Sequence, residues 1–165
     1  MHSIFVMPGE IWFGPAPGRI HTLLGSCLAM TVWHPGQRVG GLCHFLLPTS
    51  GRARQPGQLL NPRYGDDAMD ALLSYMQDAR LPAREFEYKL FGGGSFMSLP
   101  RRNNTPVGVK NIAGARGWLQ RQGLSATVED VGGEESRRIV LDLDTGAVWV
   151  HYAGIAPPAP TMMND

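Results

Sequence analysis

The stretch LLGSCLAMTVWHPGQRVGGLCHFLLP, residues 23–48, holds two apolar runs, 28–33 and 40–47, on either side of a break at His34, Pro35 and Gly36. Each run has strand length and is bounded by glycine or proline, so the pair reads as two β-strands rather than one helix. A short turn centred on Pro35 and Gly36 makes them an antiparallel hairpin. Folding about that centre puts Cys27, just ahead of the first strand, opposite His44 on the second, where paired side chains lie about 4.5–5.5 Å apart. A slip of one residue would send His44 to the other face. Successive strand residues alternate in direction, so Cys43 faces away from whatever His44 serves.

A thiol beside an imidazole is a nucleophile with its own proton carrier, and the glycines around it leave room for a substrate. Gly25 and Ser26 put the sulfur at a backbone corner, where N–H groups near Ser26 and Cys27 can meet a developing oxyanion. That combination points to acyl transfer. An ordinary cysteine, with a pKa of about 8.5, is only partly ionised at neutral pH and needs His44 or an equivalent to be effective. The bland reading of either cysteine is a small buried hydrophobe, which suits Cys43 better than Cys27. Thr22, five residues before Cys27, offers a hydroxyl to orient the imidazole or a substrate amide; its plain alternative is an ordinary strand threonine.

Outward from this hairpin, residues 3–7 and 11–13 read as an opening strand or pair of strands around Pro8 and Gly9. Residues 49–64, rich in Gly, Pro and Arg without periodicity, read as an exposed loop. Asp66 and Asp67 open a helix whose apolar residues Ala68, Met69, Leu72, Leu73 and Met76 recur at i, i+3 and i+4. A strand over 86–91 leads into Gly92, Gly93 and Gly94, which lack a dinucleotide fingerprint or a phosphate-loop lysine and so read as a tight turn or close backbone approach. A second helix is expected over 111–122, with Ile112, Ala115, Trp118 and Leu119 on one face and Gly123 as its stop. Strands at 125–131 and 138–143 flank Gly132 and Gly133, and 147–152 is the last strand. The expected fold is α+β or layered α/β, with sandwich-like sheets flanked by two main helices.

At 165 residues with 43% apolar content, the chain suits a single domain, taken as residues 1–155, followed by a Pro-rich tail at 156–165 expected to be disordered. A net charge of +1 gives no general excess of basic residues for nucleic acid, and Arg52, Arg54, Arg101 and Arg102 read as solvated loop residues. With no charged-then-apolar leader and no run near the ~20 apolar residues of a membrane span, a cytosolic protein with reduced cysteines is expected. His2, His21, His34 and His151 show no metal-binding spacing, so a metal site is not expected.

The segments HTLLGSCLAMTVWHP, GGLCHFLLP, RYGDDAMDALLSYM, KLFGGGSFM, GVKN at 108–111 and DVGGEESRRIVLDLDTGAVWV run in order from about Thr22 to Val150. Together they resemble the CheD family of chemoreceptor glutamine deamidases. The resemblance implies a bacterial chemotaxis enzyme, a protein-glutamine glutaminase, acting at the cytoplasmic domains of methyl-accepting receptors. It implies Cys27 as nucleophile and His44 as general base, and a layered fold similar to the catalytic domain of cytotoxic necrotizing factor deamidases. Some members also bind the phosphatase CheC. Two positions depart from the family pattern: His21 stands where a threonine is frequent, with Thr22 one residue closer to Cys27, and Lys110 replaces an arginine before Asn111, keeping the charge but losing the planar fork of donors. The threonine role carries over to Thr22, while the residues by themselves leave Ser26, Thr22 and His21 open as the third group.

The implied mechanism runs through a thioester, needs no cofactor, and would equally cleave a glutamate methyl ester. The alternatives are an adaptor that regulates a CheC-type phosphatase or a receptor without turnover, and a cysteine peptidase or transglutaminase using the same dyad.

Overall fold

The computed structural model describes residues 2–95 and 105–153. Nine strands and two long helices lie among them: β1 (His2–Phe5), β2 (Ile11–Pro15), β3 (Gly18–Leu24), β4 (Leu28–His34), β5 (Val39–Phe45), α1 (Gly65–Asp78), β6 (Glu87–Gly92), α2 (Val107–Gln122), β7 (Ala126–Val131), β8 (Arg137–Asp142) and β9 (Val148–Tyr152). The strands form a four-stranded sheet, β1-β3-β8-β9, and a five-stranded sheet, β2-β5-β4-β6-β7.

The apolar contacts divide into two cores, one on each face of the five-stranded sheet. Leu28, Met30, Cys43, Phe45 and Leu90 meet Ala68, Met69, Leu72 and Met76 of α1 and Ile112, Ala115 and Trp118 of α2. On the opposite face Ala29, Trp33, Leu42 and Phe91 meet Ile20, Leu24, Ile139 and Leu141 of the smaller sheet. The molecule is therefore three layers deep: sheet, sheet, helices. Every residue of β4 is buried, as a strand covered on both faces must be, which is why 28–33 is a continuous apolar run instead of an alternating one. The Trp33 indole N–H donates to the Leu143 carbonyl at 2.7 Å and ties the two sheets together.

The layered α/β fold with two flanking helices agrees with the sequence reading, but several particulars differ. Residues 3–7 and 11–13 supply strands to different sheets, because β1 pairs in parallel with β3 while β2 pairs antiparallel with β5. The strands around Gly132 and Gly133 are not partners either: β7 lies parallel to β6, and β8 lies antiparallel to β3 in the other sheet. Strand β3 was not foreseen as an element. Helix α2 starts at Val107, four residues ahead of the expected Asn111. In the hairpin, His44 pairs with Ala29 and Cys43 with Met30, so the register is two residues from the expected one. A slip of two preserves the face, and Cys27, two residues before Ala29, lies diagonal to His44 instead of opposite it. Arg101, Arg102 and the tail at 156–165 lie outside the described residues.

Candidate active site

Cys27 sits in the three-residue connection between β3 and β4, half-buried and packed against the core between the sheets. The connection is pinned by its carbonyls. Gly25 O accepts from Gly94 N at 3.0 Å, Ser26 O from Asn111 Nδ2 at 3.0 Å, and Cys27 O from Gly93 N at 2.8 Å. A trans peptide holds its C=O and N–H in opposite directions, so fixing the Gly25 and Ser26 carbonyls turns the N–H groups of Ser26 and Cys27 the other way. Burial raises the thiol above its ordinary range, and the residue's own backbone N–H acts in the opposite direction.

The glycines of 92–94 let this backing come close. Gly92 has φ +106°, and a Cβ there would fall 2.4 Å from the Cys27 carbonyl oxygen. Across the same seam, a Cβ on Gly108 would stand 2.3 Å from the Gly93 carbonyl oxygen. The expected close backbone approach is therefore between the glycine run, the first turn of α2 and the Cys27 loop.

His44 is 1% exposed and points between the sheets. Its Nδ1 lies 2.7 Å from Thr22 Oγ1, and Thr22 in turn donates to the Val6 carbonyl at 2.6 Å. A hydroxyl has one hydrogen, and a carbonyl can only accept it. Thr22 must therefore accept from His44, which places the imidazole hydrogen on Nδ1 and leaves Nε2 with a bare lone pair. That Nε2 is buried and, among the described residues, has no hydrogen-bond partner. Burial pushes the His44 pKa down to about 4, so the ring is neutral at neutral pH.

The three candidates for a third group separate here. In β3 the inward positions are Ile20, Thr22 and Leu24, while His21 alternates to the outer face. Thr22 reaches His44 from the opposing sheet, and Ser26 lies in the loop with its carbonyl bound to Asn111. Cys43, next to His44, faces the helices, fully buried, with its pKa pushed up to about 12. His34 bridges Glu85 at 2.9 Å and accepts from Gln37 N, His2 opens β1, and His151 lies on β9. Among the described residues no group of three or more His, Cys, Asp or Glu side chains could hold a metal ion. Arg54 is more than a solvated loop residue, since it binds Asp67 and Asp70 at 2.6 and 2.9 Å and staples the 49–64 loop to α1.

Asn111 is the contact that the sequence reading missed. Completely buried, it donates through Nδ2 to the carbonyls of both Ser26 and Leu46, each at 3.0 Å. Its Oδ1 has no partner among the described residues, an arrangement that costs about 1–3 kcal/mol in a core. Partners 85 and 65 residues away leave no local signal.

Comparison with known proteins places the chain in a family. The family model described as CheD chemotactic sensory transduction matches residues 46–152. Similar over more than nine-tenths of this chain is a probable chemoreceptor glutamine deamidase of Dechloromonas aromatica, 37% identical over 152 residues, 92% of this chain and 88% of the relative. The chain belongs to the CheD family. Two further CheD proteins, also bearing the name probable chemoreceptor glutamine deamidase, come from Chromobacterium violaceum and Pseudomonas fluorescens. Each is 42% identical, covering 90% and 91% of this chain and 76% and 84% of the relative. The CheD family model begins just after His44, whereas the relatives match 90–92% of this chain. No helix among the described residues is long and apolar enough to cross a membrane.

Proposed function

We propose that this CheD-family protein hydrolyses glutamine side chains of chemoreceptors to glutamate, with Cys27 as nucleophile and His44 as general base. The observation that carries the reading is the bare, buried Nε2 of His44, its tautomer set by Thr22, on the face shared with Cys27. The names of the relatives supply the substrate class.

With a thiol above its ordinary pKa and an imidazole well below its own, the resting pair is neutral thiol and neutral ring. The proton therefore moves as the bond forms: His44 Nε2 takes it from Cys27 while the sulfur attacks the carboxamide carbon. The N–H groups of Ser26 and Cys27, turned away from their tethered carbonyls, receive the oxyanion. His44 returns the proton to the nitrogen, ammonia leaves, and a thioester remains. Water deprotonated by Nε2 then attacks the thioester, and glutamate and the free thiol are regenerated. A methyl ester in place of the amide would release methanol by the same steps.

The test is ammonia release, with mass spectrometry for the ~1 Da gain per site, on a receptor cytoplasmic fragment treated with wild type, Cys27→Ala and His44→Ala. Conversion by wild type and loss in both folded variants is the expected outcome. An active Cys27→Ala would remove the proposed nucleophile, and an inactive wild type would leave the protein as an adaptor for a receptor or a CheC-type phosphatase.

A further inference from the structure

We propose that Asn111 is a positioning residue for Cys27: its side-chain amide sets the Ser26–Cys27 peptide plane so that the Cys27 N–H faces the sulfur and the oxyanion. The inference rests on the proposed role of Cys27 as nucleophile. Asn111 has two amide hydrogens and commits both, one to the carbonyl beside Cys27 and one to the Leu46 carbonyl two residues beyond His44. One buried side chain thus ties the nucleophile loop to the end of the strand that carries the base.

The geometry gives the first of these bonds a chemical consequence. The Ser26 carbonyl and the Cys27 N–H belong to one planar unit, so drawing the oxygen towards α2 turns the hydrogen away from α2. The Cys27 backbone N–H is also the group that acts to lower the thiol pKa, against the larger opposing effect of burial. Gly94 N–H holds the neighbouring Gly25 carbonyl in the same manner, but that contact is backbone. Asn111 is the member of the clamp that substitution can remove. Its unpartnered Oδ1 fits this role, because an apolar side chain of similar volume would avoid a buried bare acceptor but would supply no donor to either carbonyl.

Asn111→Ala and Asn111→Ser are to be assayed for deamidation and for the pH profile of Cys27 alkylation by iodoacetamide, at temperatures where circular dichroism shows them folded. The expected result is a fall in kcat of about 10- to 100-fold with KM changed less than about threefold, since a misaimed oxyanion donor is felt in the transition state. The midpoint of the alkylation profile moves to higher pH. A purely structural asparagine would lower the melting temperature and leave kcat and the profile of the folded protein as in wild type, and that result overturns the proposal. If neither variant folds, the wild-type Asn111 side-chain amide protons are followed by NMR while Cys27 is titrated. Movement with the Cys27 midpoint supports the coupling and static signals overturn it. Alkylation needs no receptor, so an inactive wild type would count against the proposed function while the alkylation midpoint still decides the role of Asn111.

Discussion

Two neighbouring residues of β5, Cys43 and His44, face opposite layers and meet opposite fates. Cys43 looks towards the helices into methionine, leucine and aromatic side chains, where its thiol is held protonated far above neutrality. His44 looks towards the other sheet, where one nitrogen is paired with Thr22 and the other is left bare. The contrast is one of surroundings: the layer a side chain faces, and not its residue type alone, decides what it meets. The helix side surrounds Cys43 with a mostly apolar core, whereas the inter-sheet side brings together a hydroxyl, an imidazole and, at its edge, a half-buried thiol.

The strongest way to break that contrast is to remove the proposed base. His44→Ala should lower deamidation by about 10²- to 10⁴-fold, the range of a lost general base. The same imidazole sets the acid side of the wild-type profile: kcat/KM should fall as pH drops towards about 4, where Nε2 takes a proton from solvent and stops being a base. A limb near the ordinary histidine value of 6.5 would show that His44 is more hydrated than its burial implies.

Thr22→Val sharpens the contrast with less force. The substitution keeps the shape, removes the acceptor that holds the hydrogen on Nδ1, and frees the ring to exchange tautomers. Losing one such bond, worth about 1–1.5 kcal/mol, should reduce kcat about tenfold while the protein stays folded. A rate equal to wild type would mean that the tautomer is held by something other than Thr22. Smallest of all is the control from the other layer: Cys43→Ala should leave kcat within about twofold and cost about 1 kcal/mol in urea unfolding, as for a modest core truncation. A large catalytic loss there would end the claim that the two faces are chemically independent.

What could be read from the sequence was local. The hairpin of β4 and β5 and the buried stripe of α1 each follow from a run of residues close in the chain. So does the opposed direction of Cys43 and His44, since strand parity survives a two-residue error in register. Strand β3 was hidden because GRIHTLL alternates only weakly, with polar Thr22 facing inward and apolar Leu23 facing outward, and α2 began early because Val107 and Gly108 do not resemble a helix start. The Thr22–His44 bond joins two sheets and the Asn111 clamp joins a helix to two loops, and periodicity carries no information about which layer will lie against which.

The bond between Thr22 and His44 also makes the site a reporter of folding. Thr22 belongs to the smaller sheet and His44 to the larger, so the proposed base is held in a single tautomer only when the two have docked. If the proposed activity holds, a refolding chain whose strands and helices have formed but whose smaller sheet has not closed over the larger one would show its secondary structure before its full turnover. Recovery of activity in a refolding experiment is therefore expected to follow the closure of the sandwich, a step of long sequence separation and correspondingly slow formation, and not the appearance of its strands.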